Sequence, residues 1–293
     1  MAIQKKQKQK KFLPAYFSNE LAGHFEEREA RNLANWVLED ITGLEAMKVL
    51  TGEDEVWMDS EIEKIDHILQ RLRAGEPIQY ILKQADFYGL RLGIGPGVLI
   101  PRNETEELVE WIISDWKSVL CGFRILDVGC GSGAIAIALA KNLPMAEVFA
   151  VDISEKALKT CVKNAKKHSV KLSCGIMDIL NPSGELASLE FDVIVSNPPY
   201  VLESQKPLLK KRVSAHEPSL ALFVPDTDPL LYYRAVTDFG SKQLKHDGKI
   251  YVEINELLAS ETLGELRTQF SFTELRQDIH GRDRMIKAAY GKE

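Results

Sequence analysis

The sequence has no long apolar run. Its longest wholly apolar stretch, Ala134 to Ala140, falls far short of the ~18 residues that a membrane-spanning helix needs, so no span is expected. It is also poor in cysteine. Cys121, Cys130, Cys161 and Cys174 form no C-x-x-C pair and have no histidine nearby at zinc-finger spacing. A structural metal and a disulfide framework are therefore not indicated, and reduced thiols are the default. An excess of positive charge is absent too: 37 Lys and Arg against 43 Asp and Glu leave a net charge of −6. That counts against a chain whose main task is gripping a nucleic acid backbone. The first eleven residues are a local exception, with five lysines, but no apolar stretch of signal-peptide length follows before the polar Ser18–Asp40 segment. Residues 1–11 read as a solvated, disordered basic tail and the chain as cytoplasmic.

Hydrophobic residues make up 45% of the 293 residues and charged residues 27%, an ordinary balance for soluble globular chains, and the length suits two domains. From about residue 12 to residue 82 the pattern is helical. Leu33, Trp36, Val37 and Ile41 share one face, and Ile62, Ile65, Leu69 and Leu72 another. Ser60 and Glu63 match an S-x-x-E capping box. This stretch reads as a small helical bundle. In residues 83–101, Gly89, Gly93, Gly95, Pro96 and Gly97 punctuate apolar residues at mostly even spacing, which predicts a β-hairpin linker. Residues 102–293 then alternate strands with helices: Arg124–Val128, 132–141, Val148–Val151, 154–168, Lys171–Gly175, Phe191–Val195, 229–245 and Lys249–Ile254. Alternation of this kind predicts an α/β domain, a parallel sheet with helices on both faces.

Chemistry concentrates at two places. Gly129, Cys130, Gly131, Ser132 and Gly133 follow the strand Arg124–Val128 and lead into an apolar helix. Alternate glycines allow a tight turn and close approach of a ligand to the backbone, at the sheet edge where such folds bind nucleotides. Taken alone, such a turn also occurs for packing. Asp152, about twenty residues on at the end of the next strand, is placed to accept hydrogen bonds from a ribose. The G-x-G-x-G spacing favours the adenosyl part of S-adenosylmethionine over a dinucleotide. Asp178, flanked by Ile179, is placed to meet an adenine amino group, though a turn aspartate ahead of Asn181-Pro182 is an equally plain reading.

The second place is Ser196-Asn197-Pro198-Pro199-Tyr200, after the strand Phe191–Val195. Two prolines stiffen the backbone and present the Asn197 side chain and the Pro198 carbonyl. Those two acceptors can hold both hydrogens of a planar, weakly nucleophilic nitrogen, with Tyr200 against the flat face of the substrate. A plain Asn-Pro turn is the structural alternative.

On these residues the chain resembles the HemK/PrmC family of release-factor glutamine N5-methyltransferases, over nearly its whole length. Pro77-Ile78-Gln79-Tyr80-Ile81-Leu82, Phe87-Tyr88-Gly89, Leu99 to Glu106, Glu217-Pro218 and Ala221-Leu222 also carry the likeness. Lys83 stands where the family usually has glycine, and Asn103 where proline is usual. The resemblance implies a Rossmann-like class I S-adenosylmethionine-dependent methyltransferase domain, a mainly parallel seven-stranded sheet, preceded by a helical substrate-docking domain. It implies methylation of the glutamine in the Gly-Gly-Gln loop of peptide chain release factors. By the resemblance the cofactor would lie on Gly129–Gly133, Asp152, Ile179 and Asn197, with Asp178 added from its place after the third strand, and the substrate on Asn197, Pro198, Pro199 and Tyr200. A monomer with no metal, no membrane and no direct nucleic acid contact is expected.

Three other readings remain at this point: a glutamine methyltransferase of a ribosomal protein, an adenine-N6 methyltransferase of DNA or RNA, and a non-catalytic binding protein on the same fold. His24, His67, His168, His216, His246 and His280 lack metal spacing and read as surface or capping residues. Trp36, Trp57, Trp111 and Trp116 read as core or interface residues rather than cofactor stackers, and Glu217 as either a substrate contact or an exposed residue before proline.

Overall fold

A computed structural model of the protein describes residues 9–51 and 56–291, with the backbone alone for Lys211. The chain divides into two compact units at the Lys83–Gln84 bond.

The first unit is helical: α1 (Leu13–Glu20), α2 (Glu27–Thr42), α3 (Ala46–Thr51), α4 (Asp59–Arg73) and α5 (Ile78–Leu82). Its core gathers Leu13, Phe17, Leu21, Val37, Leu38, Ile65, Leu69 and Leu72. Leu33 and Val37 are buried as their spacing on one helix face requires, while Trp36 and Ile41 border that core. Helix α2 carries Glu27 and Glu29 in its first turn and stops at Gly43, whose φ of 68° only glycine adopts at little cost. The Ser60/Glu63 capping box is not the one that forms. Helix α4 starts one residue before Ser60, and the Glu61 carboxylate accepts from the Met58 N–H at 2.8 Å. Most of the expected basic tail lies outside the described residues. Its last part is structured, with Gln9 bridging Val56 and Lys10–Phe12 forming a 3-10 turn.

The second unit opens with a hairpin, β1 (Gln84–Phe87) against β2 (Leu90–Gly93). Tyr88 and Gly89 both take positive φ, 48° and 70°, matching the twist of the flanking strands. The hairpin stops at Gly93, and residues 94–101 run on without strand pairing. Next come α6 (Asn103–Trp116), β3 (Phe123–Val128), α7 (Ala134–Asn142), β4 (Ala146–Asp152), α8 (Glu155–Lys167), β5 (Ser173–Ile176) and β6 (Phe191–Ser196). The short β7 (Val201–Leu202), α9 (Lys211–Ser214), α10 (Ser219–Leu222) and β8 (Phe223–Val224) lead to α11 (Leu231–Gln243), β9 (Leu244–Glu253), α12 (Ala259–Leu266), β10 (Phe272–Gln277) and β11 (Asp283–Ala289).

Seven strands form one sheet in the order β10-β11-β9-β6-β3-β4-β5. The five from β9 to β5 run parallel and β11 is antiparallel to both neighbours, so the mainly parallel seven-stranded sheet is present. Successive residues face opposite ways, as the pleat demands. Ile125, Val148, Val193 and Val195 join a core with α6, α7 and α8, while Leu126, Phe149, Ile194 and Val252 join one with α11 and α12. Helix α6, helix α12 and the β10–β11 pair were not legible in advance. Within β11, Lys287 sits among apolar residues and breaks the alternation. It is buried with ion pairs to Asp115 (3.2 Å) and Glu274 (2.9 Å). None of the described helices is long and apolar enough to cross a membrane.

The chain runs outward from β3 to β4 and β5, then crosses back to place β6 on the other side of β3. That reversal leaves a crevice at the carboxyl ends of β3 and β6, where open α/β sheets hold ligands.

Candidate active site

The crevice holds a cavity of about 280 Å³, and every lining residue belongs to the second unit. One wall is the glycine loop. Gly129, Gly131 and Gly133 all have positive φ (76°, 55° and 82°), a run that side-chain-bearing residues cannot follow without strain. The three glycines do different things. Gly129 and Gly131 line the cavity, and a Cβ on either would meet no atom within 4 Å, so it would project into open space. Gly133 is not part of the lining. A Cβ there would stand 2.6 Å from Cys161 Sγ, so this glycine serves the packing of α7 on α8. Cys130 and Ser132 complete the loop wall.

Asp152 is held by two backbone amides. Its Oδ2 accepts from the Gly131 N–H and its Oδ1 from the Ser154 N–H, both at 2.8 Å. Burial raises the pKa of this carboxyl, and the two amide hydrogen bonds oppose the shift. Asp127, beneath the loop on β3, is fully buried. Its Oδ2 accepts from the Ala136 N–H at 3.1 Å, and its Oδ1 has no partner among the described residues. Burial, with the nearby Asp152, pushes its pKa up to about 7.

The opposite wall begins at Ser196, which pairs in register with Val128 and donates its hydroxyl to the Val128 carbonyl at 2.8 Å. The glycine loop and the Asn-Pro-Pro segment therefore leave the sheet side by side. Asn197, Pro198 and Pro199 line the cavity. Tyr200 is not among the lining residues. Its hydroxyl donates to Glu253 Oε1 at 3.0 Å, and its ring packs beside the core under α11. Asp178 and Ile179 line the cavity with Met177, Ile153 and Tyr232. Asp178 also makes the turn that was the alternative reading: its Oδ1 accepts from the Leu180 N–H at 2.9 Å. The two readings are compatible.

Several residues escaped sequence reasoning. Val98, Leu99, Pro101, Arg102 and Thr105 line the cavity from the segment after the hairpin. Glu217 is neither exposed nor part of the lining. It is buried, accepting from the Arg102 guanidinium (2.6 Å) and the Ile100 N–H (3.1 Å), and so ties that segment to the start of α10, which carries Pro218 and Leu220. Asn164 of α8 is also buried. It accepts from the Gly93 N–H (2.7 Å) and donates to the Gly93 and Ser132 carbonyls (both 2.9 Å), joining hairpin to glycine loop. A signal for it existed, since an asparagine stands three residues after Cys161 on an otherwise apolar helix face. Glu253 gave a comparable signal as the one carboxylate in the apolar run from Ile250 to Ile254. Among the described residues, no histidine and no tryptophan lines the cavity.

Both units match known family models: the PrmC N-terminal domain over residues 15–82 and the methyltransferase small domain over residues 108–215. The release factor glutamine methyltransferase of Flavobacterium psychrophilum is 43% identical over 278 residues, covering 94% of this chain and 96% of that protein. The chain belongs to the release factor glutamine methyltransferase family. The family member from Bacteroides thetaiotaomicron is 38% identical over 277 residues, covering 94% of this chain and 98% of its own. Among solved structures, a methyltransferase from Pyrococcus furiosus at 14% identity has a TM-score of 0.51, covering 80% of this chain and all of that one, a likeness of fold.

The cavity of this family member suits S-adenosylmethionine by its own chemistry. It offers open backbone at Gly129 and Gly131, a carboxylate at Asp152, apolar walls from Ile153, Met177 and Ile179, and an amide at Asn197.

Proposed function

We propose that this family member transfers a methyl group from S-adenosylmethionine to the side-chain N5 of the glutamine in the Gly-Gly-Gln loop of peptide chain release factors. The observation that carries the reading is the pairing of Val128 with Ser196, which puts the glycine loop and Asn197-Pro198-Pro199 on facing walls of one cavity. A cofactor site and an acceptor for an amide are thereby adjacent.

When bound, S-adenosylmethionine supplies an electrophilic methyl group on a sulfonium. Gly129 to Ser132, Asp152, Asp178 and Ile179 hold the cofactor, and Asn197 and Pro198 hold the substrate. A glutamine amide nitrogen is a poor nucleophile because its lone pair is shared with the carbonyl. The Asn197 Oδ1 and Pro198 carbonyl accept its two hydrogens, orient it, and offset the positive charge that grows on it during attack. Both acceptors are rigid, Pro198 and Pro199 by their rings and Asn197 by its bond to Thr105, so little reorganisation accompanies the reaction. Carbonyl acceptors suffice, because the nitrogen becomes acidic once methylated and its proton then leaves readily.

The net charge of −6 supports a protein substrate over a nucleic acid. Since release factors act in translation, the same reading makes the chain cytoplasmic, and we take it to work as a monomer. The test is transfer of labelled methyl to three substrates: a release factor, the same factor with the Gly-Gly-Gln glutamine changed to alanine, and adenine-containing DNA. Label on the first alone is expected. Label on the alanine variant or on DNA overturns the reading, as does no label on any.

A further inference from the structure

Two side chains of the Asn-Pro-Pro-Tyr segment lead to one buried carboxylate. Asn197 Nδ2 donates to Thr105 Oγ1 at 3.1 Å, Thr105 Oγ1 donates to Glu253 Oε2 at 2.5 Å, and the Tyr200 hydroxyl donates to Glu253 Oε1 at 3.0 Å. Glu253 is 1% exposed and Thr105 4%. A carboxylate held that deep is costly unless its oxygens are satisfied, and here each oxygen takes a hydroxyl.

The chain of bonds has a direction. Burial raises the pKa of Glu253, while the Thr105 and Tyr200 hydroxyls and the Arg284 charge oppose that shift, and in its ionised form the carboxylate only accepts. Thr105 has a single hydroxyl hydrogen and gives it to Glu253, so toward Asn197 it can only accept. Asn197 must then turn its NH2 to Thr105, which leaves its Oδ1 as the free acceptor of a residue lining the cavity. An amide is nearly symmetric in shape, and turned over it would present two hydrogens where the substrate also presents hydrogens. The polarity of the site is thus decided one hydroxyl and one carboxylate behind Asn197.

We infer that Glu253 is a positioning residue for methyl transfer, acting through Thr105 to hold the Asn197 amide with its oxygen toward the substrate nitrogen and through Tyr200 to anchor the far end of the same segment. The inference rests on the proposed glutamine N-methylation, though the orientation of Asn197 is measurable without it. Asn255 adds support from the same strand end: its Nδ2 donates to the Tyr200 carbonyl at 2.9 Å.

Thr105→Val keeps the shape and removes the relay. Glu253→Gln offers one acceptor where two hydroxyls each need one, so one of them loses its partner. In the full chain with a release factor as substrate, each should lower kcat tenfold or more while the Kd for S-adenosylmethionine changes less than threefold. Thr105→Ser, which keeps the hydroxyl, should recover most of the loss. A smaller fall in kcat, an equal loss of cofactor affinity, or failure of Thr105→Ser to recover activity overturns the inference. Independently of turnover, the Asn197 side-chain NH2 resonances, assigned by their loss in Asn197→Asp, should show one proton exchanging at least tenfold more slowly in the natural chain than in Thr105→Val. Equal exchange rates overturn the inference. Should the natural chain transfer no methyl, the proposed function falls, while the exchange measurement still decides the orientation of Asn197.

Discussion

The Gly131 N–H donates to Asp152 Oδ2 at 2.8 Å, so the glycine loop and the acidic residue twenty-one positions later form one hydrogen-bonded unit. Asp152 serves the site twice, as a carboxylate facing the cavity and as the brace that holds the loop in shape. Asp152→Ala should therefore weaken binding of S-adenosylhomocysteine by about 10- to 100-fold, the effect of losing about 1.5–3 kcal/mol of charge-assisted hydrogen bonding. Calorimetric titration reads this directly, and an unchanged Kd would remove Asp152 from the cofactor site.

Asn197→Ala should divide the two functions the other way. An acceptor aimed at charge that develops during reaction acts mainly on the rate, so kcat should fall by about 10²- to 10³-fold with cofactor affinity little changed. Steady-state kinetics beside the same titration separates the two effects. Equal losses in both would mean that Asn197 belongs to cofactor binding alone.

Lys83 ends α5 with φ 58° and ψ 30°, a left-handed cap at the position where the resembling family usually has glycine. A side chain in that conformation costs roughly 1–2 kcal/mol, part of which glycine's greater freedom when unfolded takes back. Lys83→Gly should raise stability by about 1 kcal/mol, whereas Lys83→Ala should not. Calorimetric melting of the three chains tests this, and a lower melting temperature for Lys83→Gly would contradict it.

Asp127 makes stability depend on pH. Its carboxyl is raised from 3.8 to about 7 in the folded chain, by burial first and by Asp152 in addition, with the Ala136 N–H opposing. Between those values the folded chain keeps a proton that the unfolded chain has released. This group's contribution is thus fully present below pH ~4 and is lost as pH rises to about 7, by ~1.4 kcal/mol per unit. Asp127→Asn cannot ionise and should show a correspondingly flatter profile. Urea unfolding of both chains at four pH values between 4.5 and 7.5 reads the difference, and parallel profiles would exclude a protonated Asp127.

Asn103 stands at the first position of α6, and it is exposed. Proline, usual there in the resembling family, suits that position because its φ is preset and its missing N–H has no intrahelical partner to lose. The departure noted in the sequence is thus structurally mild, and the one at Lys83 is the costlier of the two.

Local pattern was enough for the α/β alternation, the helical first unit, the glycine loop and the Asn-Pro-Pro segment, because each is written in consecutive residues or in a short period. Asp152 was legible from its place at the end of a strand. Helix α6 and the β10–β11 pair were not, since Thr105 sits on the buried face of one and Lys287 in the middle of the other, where propensity and polarity misdirect. The cap of α4, the burial of Glu217 and the inward turn of Tyr200 were likewise decided by packing. Sequence alone determined which chemical groups this protein owns and roughly which strand or helix delivers each. Only the tertiary structure decided how they are aimed. Asn197, Thr105 and Glu253 lie 92 and 148 residues apart along their hydrogen-bonded chain, and Arg102 and Glu217 are 115 apart. A hydrogen bond depends on separation in space, and at those distances along the chain no period or propensity records it.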